Sequence, residues 1–198
     1  MIPAQFLANP QSLNVSDIIL GKNASKAAQI TTVDGKTLTF KFGTQNEPLE
    51  APFGLSSWEG ASTDRVSLDL RATPEIEELV DGLDEVLVQH LEQNCKKYFG
   101  ASMKQEKVRE YFRPTIKRHE ENKYPPLCKT KLSKSRVKVW GPDKEAASVE
   151  DITPHSEMCV VLTVRSLYFQ SKGWGLTLEC QHVGLANSVE HCPFEDVN

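Results

Sequence analysis

The sequence predicts a mainly β fold with a helical insertion (α+β), and three observations carry that prediction. Stretches of period-two alternation come first, one long amphipathic helical stretch follows, and strand-like stretches then return. Regular strand-helix-strand alternation and internal repeats are both absent, which argues against a doubly wound nucleotide-binding sheet. A small five-stranded antiparallel barrel answers the pattern best, because closing a short sheet removes its exposed edges.

Residues 1–20 read as an extended lead-in with an edge strand over residues 17–20. AAQITTVDGKTLTFKFG then reads as a β-hairpin: Asp34-Gly35 supplies the turn, and Leu38, Phe40 and Phe42 alternate with Thr39 and Lys41 to make one apolar face. The next stretch is broken by Pro48, Pro52, Gly54 and Gly60 and reads as a loop, although it carries Phe53, Leu55 and Trp58. Val66, Leu68 and Leu70 alternate with Ser67 and Asp69, as in a strand.

The long helix follows, with Thr73 as N-cap, Pro74 as its first residue, and Glu75, Glu77 and Glu78 complementing its positive end. Ile76, Leu79, Val80, Leu83, Val86, Leu87, His90 and Leu91 recur at helical spacing until Lys96, Lys97 and Gly100 end it. Ser102 and Gln105 have capping-box spacing for a second helix through about Phe112, stopped by Pro114. Short strands are expected near Ile116 and over residues 127–132, a clearer one over 136–140, and two long ones over 158–169 and 174–185 joined by Ser171-Lys172-Gly173. The chain is thereby read as one domain over 1–188, with the helical insertion at about 73–112 and a flexible tail at 189–198.

At 198 residues and 39% hydrophobic content, a core of ordinary size forms without staples. No apolar run approaches the roughly 20 residues that cross a bilayer, so no membrane partner is expected. MIPAQFLANPQSLNV lacks the basic and apolar regions of a secretory signal. Five widely spaced cysteines without a C-x-x-C pair suit an intracellular reducing compartment. Cys180, His182, His191 and Cys192 are a metal-like set but lack the paired knuckles of structural zinc sites. Two strand-borne residues and a loose tail are the plainer account, and neither metal nor cofactor is expected.

The net charge of −4 hides a segregation. Between Lys96 and Lys144 fifteen Lys/Arg face five acids, whereas the rest of the chain holds eight basic and twenty-two acidic residues. Such a field can draw a phosphate backbone to one face. A solvated helical surface accounts for a charge run as well. The aromatics interleaved in the basic segment, Tyr98, Phe99, Tyr111, Phe112, Tyr124 and Trp140, tilt the reading toward nucleic acid.

Phosphate-loop, dinucleotide, zincin and hydrolase signatures are absent, and no two histidines stand at i, i+4. Glu75, Glu77, Glu78, Asp81, Asp84 and Glu85 fall on the helix face opposite the apolar stripe, where they read as solvation. His90 lies on that stripe and reads as a core histidine. No catalytic residue is assigned, and no enzyme is expected.

Sequence-tolerant binding of a single strand needs only spaced cations and aromatic faces, each stacked base contributing about 1–3 kcal/mol. Lys129, Lys131, Lys134, Arg136 and Lys138 surround Trp140, and Arg165 and Lys172 surround Tyr168, Phe169 and Trp174. Neighbouring strand residues point to opposite faces. One of Tyr168 and Phe169 is therefore committed to the interior, while the other, with Trp174, is offered to a base. Plugging a barrel end is an equal alternative for Trp174.

Six motifs in order carry a resemblance: APFGLSSWE (51–59), RVSLDL (65–70), the acidic-faced helix, YFRPTIK (111–117), YPPLCKTKL (124–132) and RSLYFQSKGWGLTLEC (165–180). Over roughly residues 40–185 the succession resembles the single-stranded-DNA-binding proteins of nucleocytoplasmic large DNA viruses, themselves distantly similar to the T7-type phage proteins of the same function. The resemblance implies an OB-type five-stranded antiparallel barrel. It also implies a non-catalytic protein that coats single-stranded DNA largely without sequence preference in replication, recombination or repair. Replication proteins and a second copy of the chain are the protein partners this reading allows, with the nucleus or a viral replication site as the setting. The dense acidic tail of the phage group is represented here only by Phe194-Glu195-Asp196. RNA is not separated from DNA, since recognising the 2′-OH needs only one polar group. The alternative is a non-catalytic structural or accessory subunit of a larger viral or organellar assembly, contacted through the basic segment, Phe53, Trp58 and CPFEDVN.

Overall fold

Two long antiparallel strands near the C-terminal end of the chain form the spine of the molecule. The structure is a computed structural model that describes residues 18–20, 27–32, 37–44, 47–57, 64–99 and 104–186. In chain order its elements begin with β1 (Ile18–Leu20), β2 (Ala27–Thr32), β3 (Thr39–Phe42), β4 (Leu49–Ala51), β5 (Leu55–Ser56) and β6 (Arg65–Arg71). Helices α1 (Pro74–Gln93), α2 (Cys95–Phe99) and α3 (Gln105–Glu110) follow. Then come β7 (Ile116–Lys117), β8 (Leu127–Ser133), β9 (Lys138–Trp140), β10 (Ala146–Ala147), β11 (Ser156–Gln170) and β12 (Gly173–Leu185).

β11 and β12 pair from Met158 with Leu185 to Gln170 with Gly173, as two long strands joined by a Gly turn predict. At 15 and 13 residues each outruns any single further neighbour, so shorter strands line up end to end along its free edge. β4, β3 and β2 lie in turn along β11, opposite residues 156–158, 160–163 and 166–168. Along β12 run an isolated bridge from Phe112 to Trp174, then β8, then β9, all parallel. β6 pairs antiparallel with β8 over residues 65–71 and 127–133.

The result is a mainly β molecule with helices between β6 and β7, as expected, but not a five-stranded antiparallel barrel. Among the described residues twelve strands form one mixed sheet whose order runs β1-β2-β11-β12-β8-β6-β5, open at its two ends. The length of the spine strands is the physical reason: one short partner each would leave most of their backbone donors and acceptors unpaired. The hairpin expected over β2 and β3 gives way for the same reason. Both strands pair with β11 and, among the described residues, not with each other; the Asp34-Gly35 turn lies outside the described residues. β4 and β5 form where the Pro/Gly pattern predicts only loop, because β11 and β6 offer them free edges.

α1 begins as its sequence specifies: the Thr73 hydroxyl accepts the Ile76 N–H at 3.4 Å, and Pro74 occupies the first turn. Ile76, Leu79, Val80, Leu83, Leu87, Val88 and Leu91 are buried along its apolar stripe. Asn94 ends it early, its side-chain amide donating to the His90 carbonyl at 2.9 Å, so the helix expected to run to Lys97 breaks in two. α3 covers part of the expected second helix; its N-cap is Lys104, without a side-chain bond, and Ser102 lies outside the described residues, as does the tail from 187.

Among the described residues no helix is long and apolar enough to cross a membrane. Cys95, Cys128 and Cys180 are buried free thiols. Cys159 is disulfide-bonded, which the expectation of a reducing compartment did not include.

Candidate nucleic-acid interface

Alternation along two paired strands builds the floor of a basic groove. β6 sends Val66, Leu68 and Leu70 into the core and leaves Arg65, Ser67 and Asp69 on the other face; β8 buries Cys128 and Leu132 and leaves Lys129 and Lys131. Their register sets Ser67 opposite Lys131 and Asp69 opposite Lys129. The Lys131 ammonium donates to Ser67 Oγ at 2.5 Å. Arg113, Lys117 and Tyr168 complete the lining of a groove of about 680 Å³, with Gln170 from β11 and Thr177 from β12.

Five cations therefore face one carboxylate. Among the described residues none of Arg65, Arg113, Lys117, Lys129 and Lys131 is ion-paired. Burial raises the Asp69 carboxyl above its ordinary value, although Lys131, Lys129 and Lys117 pull it the other way. Burial likewise lowers the Lys131 ammonium, against the pull of Asp69. Concave walls that hold one sign of charge focus its field on whatever enters.

Much of the remaining basic segment is already occupied. The Arg109 guanidinium donates to both Glu85 oxygens at 2.8 and 2.9 Å and to Glu92 at 3.3 Å. Arg118 holds Asp81 and Glu77, each at 2.6 Å. Bonding to Arg109 pulls the Glu85 carboxyl down to about 2. The acidic face of α1 is thus not simply solvated: it folds back onto part of the basic segment, and the segregation visible along the chain is partly cancelled in space.

Asp84 corrects that reading further, for it is buried at 4% exposure. Its carboxylate accepts the Thr115 N–H at 2.9 Å and the Thr115 hydroxyl at 3.0 Å. Thr115 stands between Arg113 and Lys117, so this buried group ties down the segment that presents both cations to the groove. Burial raises Asp84 from 3.8 to about 7, the Thr115 bonds opposing. A carboxyl raised on folding holds its proton where the unfolded chain has lost it. The contribution of this group to stability is therefore largest at the acid end and falls as pH rises from about 4 to about 7, at up to about 1.4 kcal/mol per pH unit. Urea midpoints measured across that window should show this slope in the native chain and its loss in Asp84→Asn; an unchanged slope in the variant would assign it to other groups.

The residues expected to bind are distributed unevenly. Lys129, Lys131 and Tyr168 lie in the groove. Arg136, Lys138 and Arg165 line a smaller hollow of about 190 Å³ with Glu179 and His182, where the two arginines share Glu179 at 3.0 and 3.4 Å. Lys134 pairs with Glu150 at 2.7 Å. Lys172 is exposed, and its carbonyl accepts from Arg113 at 2.6 Å. Trp140 is half-buried against Cys159.

Tyr168 and Phe169 divide as strand geometry requires. Phe169 turns to the helices and meets Phe99 edge-on with centroids 5.3 Å apart. Tyr168 faces the groove and lies over Gly175, where a Cβ would stand 2.7 Å from both its hydroxyl oxygen and the Arg113 carbonyl. Glycine there makes room for the ring.

Of the two places expected for Trp174, the structure gives it the interior and not the ligand-facing one. It is 1% exposed, packs on Phe112 with centroids 4.8 Å apart, and donates its indole N–H to the Val108 carbonyl at 2.7 Å. The ring joins helices to sheet and offers no face to a ligand.

The sequence alone does not single out Arg65, Arg113 and Lys117, which the structure places in the groove. The polar positions of RVSLDL and the basic ones of YFRPTIK are their only local signal; pairing with β8 and the Asp84–Thr115 tie bring them together. Of the metal-like set, Cys180 is buried, its thiol raised to about 12 by burial, and it donates to the His182 carbonyl at 3.4 Å; His191 and Cys192 lie outside the described residues. No group of three or more His, Cys, Asp or Glu that could hold a metal occurs among the described residues. Phe53 is 59% exposed, whereas Trp58 lies outside the described residues.

Comparison with known proteins finds a match to a family of unknown function (DUF5871) over residues 58–193. No curated protein matches the chain. Among solved structures, the single-stranded DNA-binding protein from bacteriophage Enc34 in complex with ssDNA is similar at a TM-score of 0.46 and 12% identity, over 87% of this chain and 97% of that one. The gp2.5 single-stranded DNA-binding protein encoded by bacteriophage T7 is similar at a TM-score of 0.44 and 14% identity, over 80% of this chain and 95% of that one.

Proposed function

We propose that this chain, which belongs to the family of unknown function DUF5871, binds single-stranded DNA along the basic groove, largely without sequence preference. The observation that supports the reading is the groove itself: five cations that, among the described residues, have no carboxylate partner line one concavity beside the half-buried ring of Tyr168. Cations at that density suit a phosphate backbone, whose condensed counterions are released as each contact forms. The Tyr168 ring suits a base, and stacking tolerates any base because each has a π-face. Lys129, Lys131 and Tyr168 keep the roles expected of them, and Arg65, Arg113 and Lys117 join them. Lys138, Arg136 and Arg165 flank the groove as secondary contacts. Coating of single strands during replication, recombination or repair, without catalysis, is the process this binding would serve.

Fluorescence anisotropy of labelled oligo-dT tests the proposal. Five phosphate contacts to a single strand give a slope of log K against log salt of about −3.5, or about a hundredfold loss of affinity from 50 to 200 mM. Absence of binding at low salt would sink the reading and leave the groove to an acidic protein partner.

A further inference from the structure

The loop between β7 and β8 presents a ring that the core does not use. The two strands pair antiparallel at Ile116 with Cys128 and Lys117 with Leu127, so residues 118–126 are the loop of a hairpin. That loop starts directly after Lys117 and returns to Lys129, both of which line the groove. At its far end Tyr124 is 58% exposed.

The loop is also held in shape. Arg118 anchors its base to Asp81 and Glu77 on α1. Asn122 turns the chain at φ 50°, in the left-handed region where asparagine is among the few tolerated side chains. Pro125 and Pro126 restrict the exit. His119 meets the Tyr124 ring edge-on, with centroids 5.2 Å apart and planes at 87°, and Lys123 Nζ lies over the ring, 5.6 Å from its centroid, on an exposed side chain that can swing toward a phosphate. These residues surround a second hollow of about 450 Å³. A braced loop carrying an exposed ring with one lysine ammonium beside it is an arrangement that accepts a base with its phosphate.

We infer that the β7–β8 loop is a second base-binding platform, which stacks an unpaired base on Tyr124, takes the adjoining phosphate on Lys123, and extends the strand's track beyond the groove. The inference rests on the groove reading. Tyr124 is five residues from Lys129, at most about 18 Å of extended chain, so one continuous single strand can occupy both sites. A strand long enough to leave the groove then gains affinity that a shorter one cannot.

Oligo-dT of about 4 and about 16 nucleotides, the two ends of the usual site-size range, tests this against native chain, Tyr124→Ala, Tyr124→Phe and Lys129→Gln. Tyr124→Ala should bind the short strand as the native chain does and the long one about fivefold or more weakly, the value of a stacked base; Tyr124→Phe should bind both normally. Lys129→Gln should weaken both lengths. Equal binding of the long strand by Tyr124→Ala and the native chain would overturn the inference. So would an equal loss on both lengths, which would place the loop's effect within the groove. Under either of these results salt-dependent binding by the native chain would still stand, whereas failure of the native chain to bind any length removes the groove reading and this one with it.

Discussion

Replacing Arg65, Lys117 and Lys129 together by glutamine is expected to lower affinity for oligo-dT by roughly a thousandfold at low salt while leaving the fold intact. All three side chains are exposed on the groove face, and among the described residues none pairs with a carboxylate. Charge-assisted hydrogen bonds contribute on the order of 1.5 kcal/mol or more each, and about 1.4 kcal/mol is tenfold in Kd. The salt dependence should flatten in step, from a slope of about −3.5 toward about −1.4, because only two phosphate contacts remain. Arg109→Gln is the decisive comparison. It removes a cation from the same basic segment, but one already engaged by Glu85 and Glu92, and should leave both affinity and slope near the native values. A loss in Arg109→Gln of about a third of the triple variant's on the logarithmic scale, about tenfold, would mean that overall charge, not the groove, governs binding.

Trp174→Ala is expected to cost about 3–5 kcal/mol of stability, the range for deleting a large buried aromatic. The indole packs between Phe99 and Phe112 and caps the Val108 carbonyl, so it joins α2, α3 and the segment after α3 to the end of β12. Trp174→Phe keeps most of the packing but leaves that carbonyl without its donor, at about 1–3 kcal/mol. Urea unfolding of the two variants reads both values. A Trp174→Ala protein that unfolds at the native urea concentration yet fails to bind oligo-dT would return the ring to the ligand and refute the placement.

The Trp174 case shows where reading the chain alone stops. Period-two alternation located β6, the turn at Ser171-Lys172-Gly173 located the β11–β12 hairpin, and the Thr73-Pro74 signature located the start of α1, because these are local rules of sterics and capping. Strand geometry also required that Tyr168 and Phe169 part company. Which of them faces a ligand depends on what covers each sheet face, and Phe99, distant in sequence, decides it by taking Phe169. Likewise a carboxylate on a helical wheel looks solvated until a loop packs over it, as Thr115 does over Asp84.

By itself the sequence determined the class of the molecule, its main strands, its long helix, and the presence of cations and aromatics in its second half. Those properties follow from short-range periodicity and composition, which no later contact can alter. Tertiary structure alone decided which cations are free to bind. Arg109 and Arg118 are claimed by carboxylates of α1, while Arg65, Lys117 and Lys129 are left facing a groove. It also decided that the sheet stays open and mixed, since pairing along β11 and β12 is settled by which distant strands fill their edges. Coulomb pairing and sheet register are both set by distance in space, and the chain reveals that distance only once it has folded.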